Sequence, residues 1–358
     1  PIIMNSKPDI FPVLVNGFKN IKLLKDLLIK NKILYGYLNE NFSDYRLKQL
    51  FSRYSTYVGG SPFNSPSILS LIWHVECQGV WRIAGGMYDL VKQIETISKR
   101  SDASFFYKNK VKKILMKNNK INGVELKNNK VIDCDTVIFN GDPKALFDGL
   151  LGDEIQNAVS NNNINKRSLS AYVWSFAAKT QGLDLLHHNV LFNKNYKTEF
   201  DDIKRGEIPK DPTLYICAQG SINNPRPKEK SLGRFEIIIN GSPTYNHKKY
   251  NKQKEYTKCK EITFSILDSM GLKMDLKPTE EMLTTPKEFE QLFPGSQGSL
   301  YGRTPHGISS TFMRPRNKSK IKGLLLAGGG THPGAGIPMA CLSGKHAAEM
   351  ILKDLNLT

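Results

Sequence analysis

The chain has 358 residues, 39% hydrophobic and 23% charged. That is too long for one ordinary core and too apolar for a disordered chain, so two intertwined globular domains are expected. The formal charge of +18 could meet nucleic acid or anionic lipid, but no Arg-rich stripe, recognition-helix motif or aromatic RNP-type strand accompanies it, so no nucleic-acid partner is expected. No run of 18 apolar residues occurs, so no helical membrane span is read, while lying on a bilayer surface stays open. The five cysteines form no CxxC pair and no Cys/His cluster has zinc spacing; they read as reduced thiols, mostly small buried residues of a cytoplasmic protein, with no metal site. The chain opens at Pro1 with no signal peptide in view, which reads as a point of truncation.

In chain order, the first apolar pattern is at 21–30. Ile21, Leu23, Leu24, Leu27 and Leu28 share one arc of a helical wheel, and Lys22, Lys25, Asp26 and Lys30 the other. This is either a surface helix with its apolar face on the core or a basic helix resting on anionic lipid. Helices are expected over 43–57 and 65–78, with Pro62 and Pro66 in the turn between them. Residues 81–84 read as a short strand. Gly85-Gly86 turns it into a helix with Met87, Leu90, Val91, Ile94 and Ile97 on one face. A β-meander follows, with strands at 111–116, 123–126 and 131–139 and Asn-rich turns between them. Asp142 can cap a helix that begins at Pro143. The middle alternates strands (169–178, 213–218, 234–240) with helices, the longest at 250–270, as in a sheet roofed by helices.

Near the C-terminus stands Leu324-Leu-Leu-Ala-Gly-Gly-Gly-Thr331-His-Pro-Gly-Ala-Gly336-Ile-Pro-Met339. Residues 323–327 read as a buried strand of a parallel sheet. The glycines allow a sharp turn and let a ligand touch backbone. Pro338 sits early in a helix that carries Leu342, Ala347, Met350 and Ile351. Strand, glycine-rich loop and helix start present free N–H groups to an anion or a polarised oxygen. The strand at 324–327 and the apolar run at 136–139 both lead into a loop and helix, so both are expected in one parallel sheet.

Thr331-His-Pro-Gly-Ala-Gly-Ile-Pro resembles the carotenoid desaturase family of two-domain flavoproteins, which belong with the amine oxidases. The resemblance runs from about Asp44 to the end. It is carried by Arg53-Tyr-Ser-Thr-Tyr-Val-Gly, by Gly79-Val-Trp81 with Gly85-Gly86-Met87, and by His187-His188-Asn189. Phe139-Asn-Gly-Asp-Pro143, Arg167-Ser-Leu-Ser-Ala171, Asp211-Pro-Thr-Leu-Tyr215, Leu292-Phe-Pro-Gly-Ser296, Ser299-Leu-Tyr-Gly-Arg303 and Pro305-His-Gly307 look like the hydroxycarotenoid or methoxyneurosporene branch.

The resemblance implies an α/β fold: an FAD-binding Rossmann-type domain interleaved with an α+β substrate domain. The expected division is 1–84 helical and substrate- or membrane-facing, 85–150 FAD domain with the meander, 151–315 substrate domain, and 316–358 the last FAD-binding strand, loop and helix. It implies cofactor contacts at Val111, Gly328, Gly329, Gly330, Thr331, His332, Pro333, Gly334, Gly336, Ile337, Pro338 and Met339. Family members begin with a strand and a GxGxxG turn, which these 358 residues do not contain, so the FAD domain is expected to be incomplete and FAD binding weak or absent.

The implied reaction is FAD-dependent dehydrogenation of an acyclic carotenoid, a 1-hydroxy- or methoxy-carotenoid at the 3,4 bond. The electron acceptor would be a quinone or oxygen, and the enzyme would sit in the cytoplasm on the inner membrane surface. A phytoene desaturase, a carotenoid isomerase or oxidase, or an inactive fragment are the alternatives. No catalytic residue stands out. Asp44 with Arg46 could be an acid/base pair, but a solvated ion pair is preferred. His332 could be a base, but a loop anchor is preferred. Trp73, Trp81 and Tyr301 line a hydrocarbon tunnel or are core aromatics. His187 and His188, adjacent on a strand, should point to opposite faces and share no metal.

Overall fold

The structure is a computed structural model that describes residues 33–219, 232–246, 251–307, 310 and 313–356. The amphipathic pattern at 21–30 lies outside the described residues. Helices α1 (Leu34–Asn41) and α2 (Tyr45–Ser52) lead into a 3₁₀ turn at Arg53–Val58, and a second 3₁₀ turn at Ser67–Ser70 leads into α3 (Leu71–Glu76). Gly59, at φ +74, ends the first of these turns.

The run at 81–84 forms no strand, because among the described residues nothing pairs with it. Helix α4 (Met87–Arg100) begins after Gly86 as the sequence predicts. Its apolar stripe exists but does not face a core: Met87, Val91, Ile94 and Ile97 are each about half exposed or more, since no described element packs on that side.

The meander is β1 (Val111–Lys117), β2 (Lys120–Leu126) and β3 (Val131–Asp133), all antiparallel. Asn118 and Asn119 take φ +52 and +59 in the first turn, a conformation that asparagine tolerates and that matches strand twist. The expected strand at 131–139 breaks in two. Its first part closes the meander, and after Cys134 and Asp135 the chain re-forms as β4 (Val137–Phe139) in a different sheet. Helix α5 (Pro143–Phe147) follows, with Asp142 accepting the Lys144 N–H at 2.9 Å as its cap.

The middle of the chain builds β5 (Ser170–Gly182), β6 (His188–Leu191), α6 (Tyr196–Lys204), β7 (Leu214–Gln219), β8 (Gly233–Gly241), α7 (Lys252–Ser269), β9 (Leu272–Asp275), β10 (Leu283–Thr284) and α8 (Pro286–Leu292). The strands form one antiparallel sheet of order β10-β5-β8-β7-β6, and β9 pairs with the far end of β5. Alternate residues of its inner face (Trp174, Ile216, Ile237, Ile239) pack against α7 through Cys259 and Leu267, which is the expected roof over a sheet. Trp174 is fully buried, and its indole N–H donates to Thr263 Oγ1 at 3.1 Å.

The last elements are β11 (Leu324–Leu326) and α9 (Ile337–Asp354). As the sequence predicts, β11 pairs in parallel with β4, Leu324 against Val137 and Leu326 against Phe139. Ile114, Ile121, Leu146, Ile155, Ile164 and Leu324 form one core beneath them.

Candidate active site

Strand β11 is buried throughout and delivers the chain into the glycine turn. The Ala327 N–H donates to the Phe139 carbonyl at 3.0 Å, which extends the parallel pairing by one residue. Gly328 then takes φ +105, and a Cβ there would stand 2.5 Å from Asn140 Oδ1. Asn317 locks strand to helix: its Nδ2 donates to Leu326 O (3.0 Å), Ser343 O (3.0 Å) and Ser343 Oγ (2.9 Å).

Two distant segments close on this turn. A Cβ at Gly302 would meet Gly330 Cα at 2.9 Å. A Cβ at Gly59 would meet the Tyr301 ring and Ser168 at 2.6 Å. The motifs at 53–59, 299–303 and 328–336 therefore meet at one place with glycine at each contact. Backbone bonds fix them: Ser168 N–H to Gly302 O and Leu169 N–H to Gly59 O, each at 2.9 Å. His306 adds a further clasp by accepting the Ser61 N–H on Nε2 at 2.9 Å. Burial, with Lys166 nearby, pulls His306 down from 6.5 to about 4, as suits a ring used as an acceptor.

Arg314 is the residue sequence reasoning missed. Its Nη1 donates to Tyr301 O (2.7 Å) and Gly329 O (3.0 Å), and its Nη2 to Arg303 O (3.1 Å). The side chain is buried, and burial, with Arg167 adding to it and Asp142 opposing, brings the guanidinium down to about 10, still charged at neutral pH. The Asp142 carboxylate is itself taken by Arg167 in a buried ion pair. Positive charge therefore exceeds negative behind the turn. Arg314 is one of four cations in the stretch 314–320, and no pattern singles it out.

Helix α9 starts at the far side of the turn. Gly336 holds φ +100, and nothing lies within 4 Å of where its Cβ would stand. Gly336, Ile337 and Pro338 are exposed and Met339 is half-buried. The first bond back into the helix runs from Ala340 N–H to Gly336 O at 2.9 Å, so the Ile337 and Met339 N–H groups have no acceptor within the helix. The Thr331 hydroxyl is buried in the turn with no hydrogen-bond partner among the described residues. An open helix end, glycines without side chains and net positive charge behind them fit a flat, electron-accepting ring such as a flavin.

The other sequence-predicted residues lie as follows. Gly329, Pro333 and Gly334 belong to the same turn, and His332 is buried in it with its backbone N–H on Pro315 O at 2.8 Å. A Cβ at Gly330 would stand 2.9 Å from Pro143 Cδ, so the packing of the turn on α5 already favours glycine there. Val111 opens the meander, paired with Leu126. Asp44 caps α2 through the Arg46 N–H at 2.8 Å and pairs with the Arg46 guanidinium at 2.6 Å; Arg46 is largely solvated, so the pair has the preferred ion-pair character.

Tyr301 stands at the turn. Trp73 lies apart from it, in an aromatic cleft of about 480 Å³ also lined by Leu38, Phe42, Phe51 and Tyr54. Phe51 stacks on Phe42 (5.1 Å between ring centroids), meets Trp73 edge-on (5.4 Å) and neighbours Tyr54 (6.4 Å), which meets Tyr57 at 5.2 Å. Trp81 is 83% exposed and lines none of this. Of the five cysteines, only Cys217 and Cys259 are buried; Cys77 and Cys341 are exposed, contrary to the expectation of mostly buried thiols. Among the described residues no helix is long and apolar enough to cross a membrane.

The profile of flavin-containing amine oxidoreductases matches residues 29–173 and 266–352. A hydroxyneurosporene desaturase of Cereibacter sphaeroides is 43% identical over 99% of this chain and 70% of its own length. A 1-hydroxycarotenoid 3,4-desaturase of a Flavobacterium is 32% identical over 87% of this chain and 64% of its own length. Among solved structures, an oxidoreductase from Methanosarcina mazei shares the fold with a TM-score of 0.54 at 14% identity, over 95% of this chain and 74% of its own.

Proposed function

This chain belongs to the carotenoid desaturases within the flavin-containing amine oxidoreductases, and on that premise we propose that it dehydrogenates an acyclic 1-hydroxy- or methoxy-carotenoid at the 3,4 bond with FAD as cofactor. The carrying observation is the meeting of the Tyr301 loop, the Gly59 turn and the glycine-rich turn that leads into the open start of α9. The relatives named for hydroxylated carotenoids reach 43% identity, against 27% for a zeta-carotene-forming phytoene desaturase, which favours the hydroxylated substrate.

When bound, a flavin supplies two-electron hydride acceptance. The residues of this chain do the rest. The Ile337 and Met339 N–H groups and the α9 dipole would face the polar edge of the ring and favour charge building there. Arg314 fixes the turn and adds positive potential. The rings of Phe42, Phe51, Tyr54 and Tyr57 form a continuous row beside the cleft, an aromatic wall that suits a polyene, with the Tyr54 hydroxyl satisfied by donating to Glu76 Oε2 at 2.7 Å. A carotenoid dissolves only in lipid, so we further propose peripheral binding at the cytoplasmic face of a membrane, with a quinone or oxygen as final acceptor.

The test is anaerobic. The full-length protein, loaded with FAD, is mixed with liposomes carrying a 1-hydroxylated acyclic carotenoid. The yellow flavin absorbance should bleach, while phytoene should leave it. Equal bleaching by both, or none by the hydroxylated substrate, contradicts the proposal.

A further inference from the structure

The inner face of the six-stranded sheet is apolar, but its outer face carries a row of metal-binding residue types at the β6 edge. His188 sits directly opposite Cys217 across β6 and β7, and Cys217 sits opposite Glu236 across β7 and β8. Cross-strand partners share a face, so the three side chains line up. His187 precedes the first residue of β6 and escapes strict alternation. The two imidazole rings therefore meet edge to face, 4.4 Å between centroids, instead of pointing apart as the sequence suggested.

We propose that His187, His188 and Cys217 bind a thiophilic divalent transition ion, of which Zn²⁺ is the type. One ligand atom from each lies within 4.8 Å of the other two. Tetrahedral zinc with Zn–N of about 2.0–2.1 Å and Zn–S of about 2.3 Å brings ligand atoms to about 3.3–3.6 Å. His187 Nε2 is already 3.8 Å from Cys217 Sγ, and the three ligand atoms, within 4.8 Å of one another, need to close by about an ångström to reach that spacing. His187 Nδ1 is 3.3 Å from Ala218 O and His188 Nδ1 is 2.7 Å from the Tyr215 hydroxyl, which leaves Nε2 of each ring as the ligand. Both rings suit a metal in the neutral form, and burial together with His187 holds His188 below its usual range. Metal binding would displace the Cys217 thiol proton to solvent, leaving a thiolate ligand, and Glu236, opposite Cys217 across β7 and β8, is the carboxyl nearest in the row. Two imidazoles and one thiolate leave a fourth position for water. The ion would pin the edge strand β6 to β7.

The experiment uses the purified, metal-stripped protein and Co²⁺ as a spectroscopic stand-in for Zn²⁺. One equivalent of Co²⁺ should produce a thiolate-to-cobalt charge-transfer band that Zn²⁺ displaces. Cys217→Ser should abolish the band, His188→Gln should weaken Zn²⁺ binding, measured by chelator competition, on the order of 100-fold, and Tyr215→Phe on the order of 10-fold. Cys134→Ser, a thiol packed against the separate core beneath β4 and β11, should change nothing. Far-UV circular dichroism shows whether each variant folds. If Cys217→Ser does not, His188→Gln, altered only at an exposed ring, decides. No charge-transfer band in the wild-type protein, or a folded Cys217→Ser or His188→Gln variant that binds as wild type, overturns the proposal.

Discussion

Gly328 and Gly336 stand in the same turn for different physical reasons. Gly328 faces Asn140, so a side chain there collides inside the protein; Gly336 faces open space and is held to glycine by its φ of +100. Gly336→Val therefore strains the backbone by about 1–3 kcal/mol and fills the space before the helix end. The expected outcome is a folded full-length protein that purifies without yellow flavin, checked by its visible spectrum. His332→Ala should keep its flavin, because the ring is buried in the loop behind the wall. His306 makes a pH prediction. Its folded pKa, about 4, is below the ordinary 6.5, so the unfolded chain binds the extra proton first. Its contribution is present above about pH 6.5 and is lost as pH falls towards 4, with a ceiling on the order of 3 kcal/mol. Urea midpoints over that range should fall more steeply for wild type than for His306→Gln. The glycine turn was legible from its pattern of apolar run, clustered glycines and early-helix proline, sharpened by the Thr331–Pro338 resemblance. Arg314 was not, because nothing local distinguishes a clamp from a surface cation.

Pairing of β4 with β11 across nearly 190 residues was legible, since each is a short apolar run that leads into a loop and a helix. The break at Cys134–Asp135 was not: an apolar run keeps its pattern through a bend, and only its two different partners reveal that one strand is two. The pair His187-His188 misled for a related reason, because alternation starts only where the ladder starts. Asn317 is the joint between β11 and α9. Asn317→Ala strips three hydrogen bonds and leaves buried acceptors at Leu326 and Ser343 without that donor, which should cost about 2–4 kcal/mol in chemical denaturation and release flavin. Trp174→Ala, in the separate core under α7, should cost about 3–5 kcal/mol without touching the turn.

At the scale of the molecule, the flavoprotein fold was legible through the family resemblance, whose motifs are spread over 53–336 and are collected only by folding. The charge of +18 is a whole-molecule property, and with the Lys-studded pattern at 21–30 it predicts flotation with anionic vesicles that weakens as salt rises. Binding indifferent to lipid charge and to salt would contradict that. The measurement closest to the central claim is the product itself. The full-length protein with FAD, incubated in liposomes with a 1-hydroxylated acyclic carotenoid, should yield a pigment two hydrogens lighter whose absorption moves to longer wavelength. Gly336→Val should return the substrate unchanged. A wild-type product of unaltered mass, or a Gly336→Val protein that desaturates at the wild-type rate, would contradict the account.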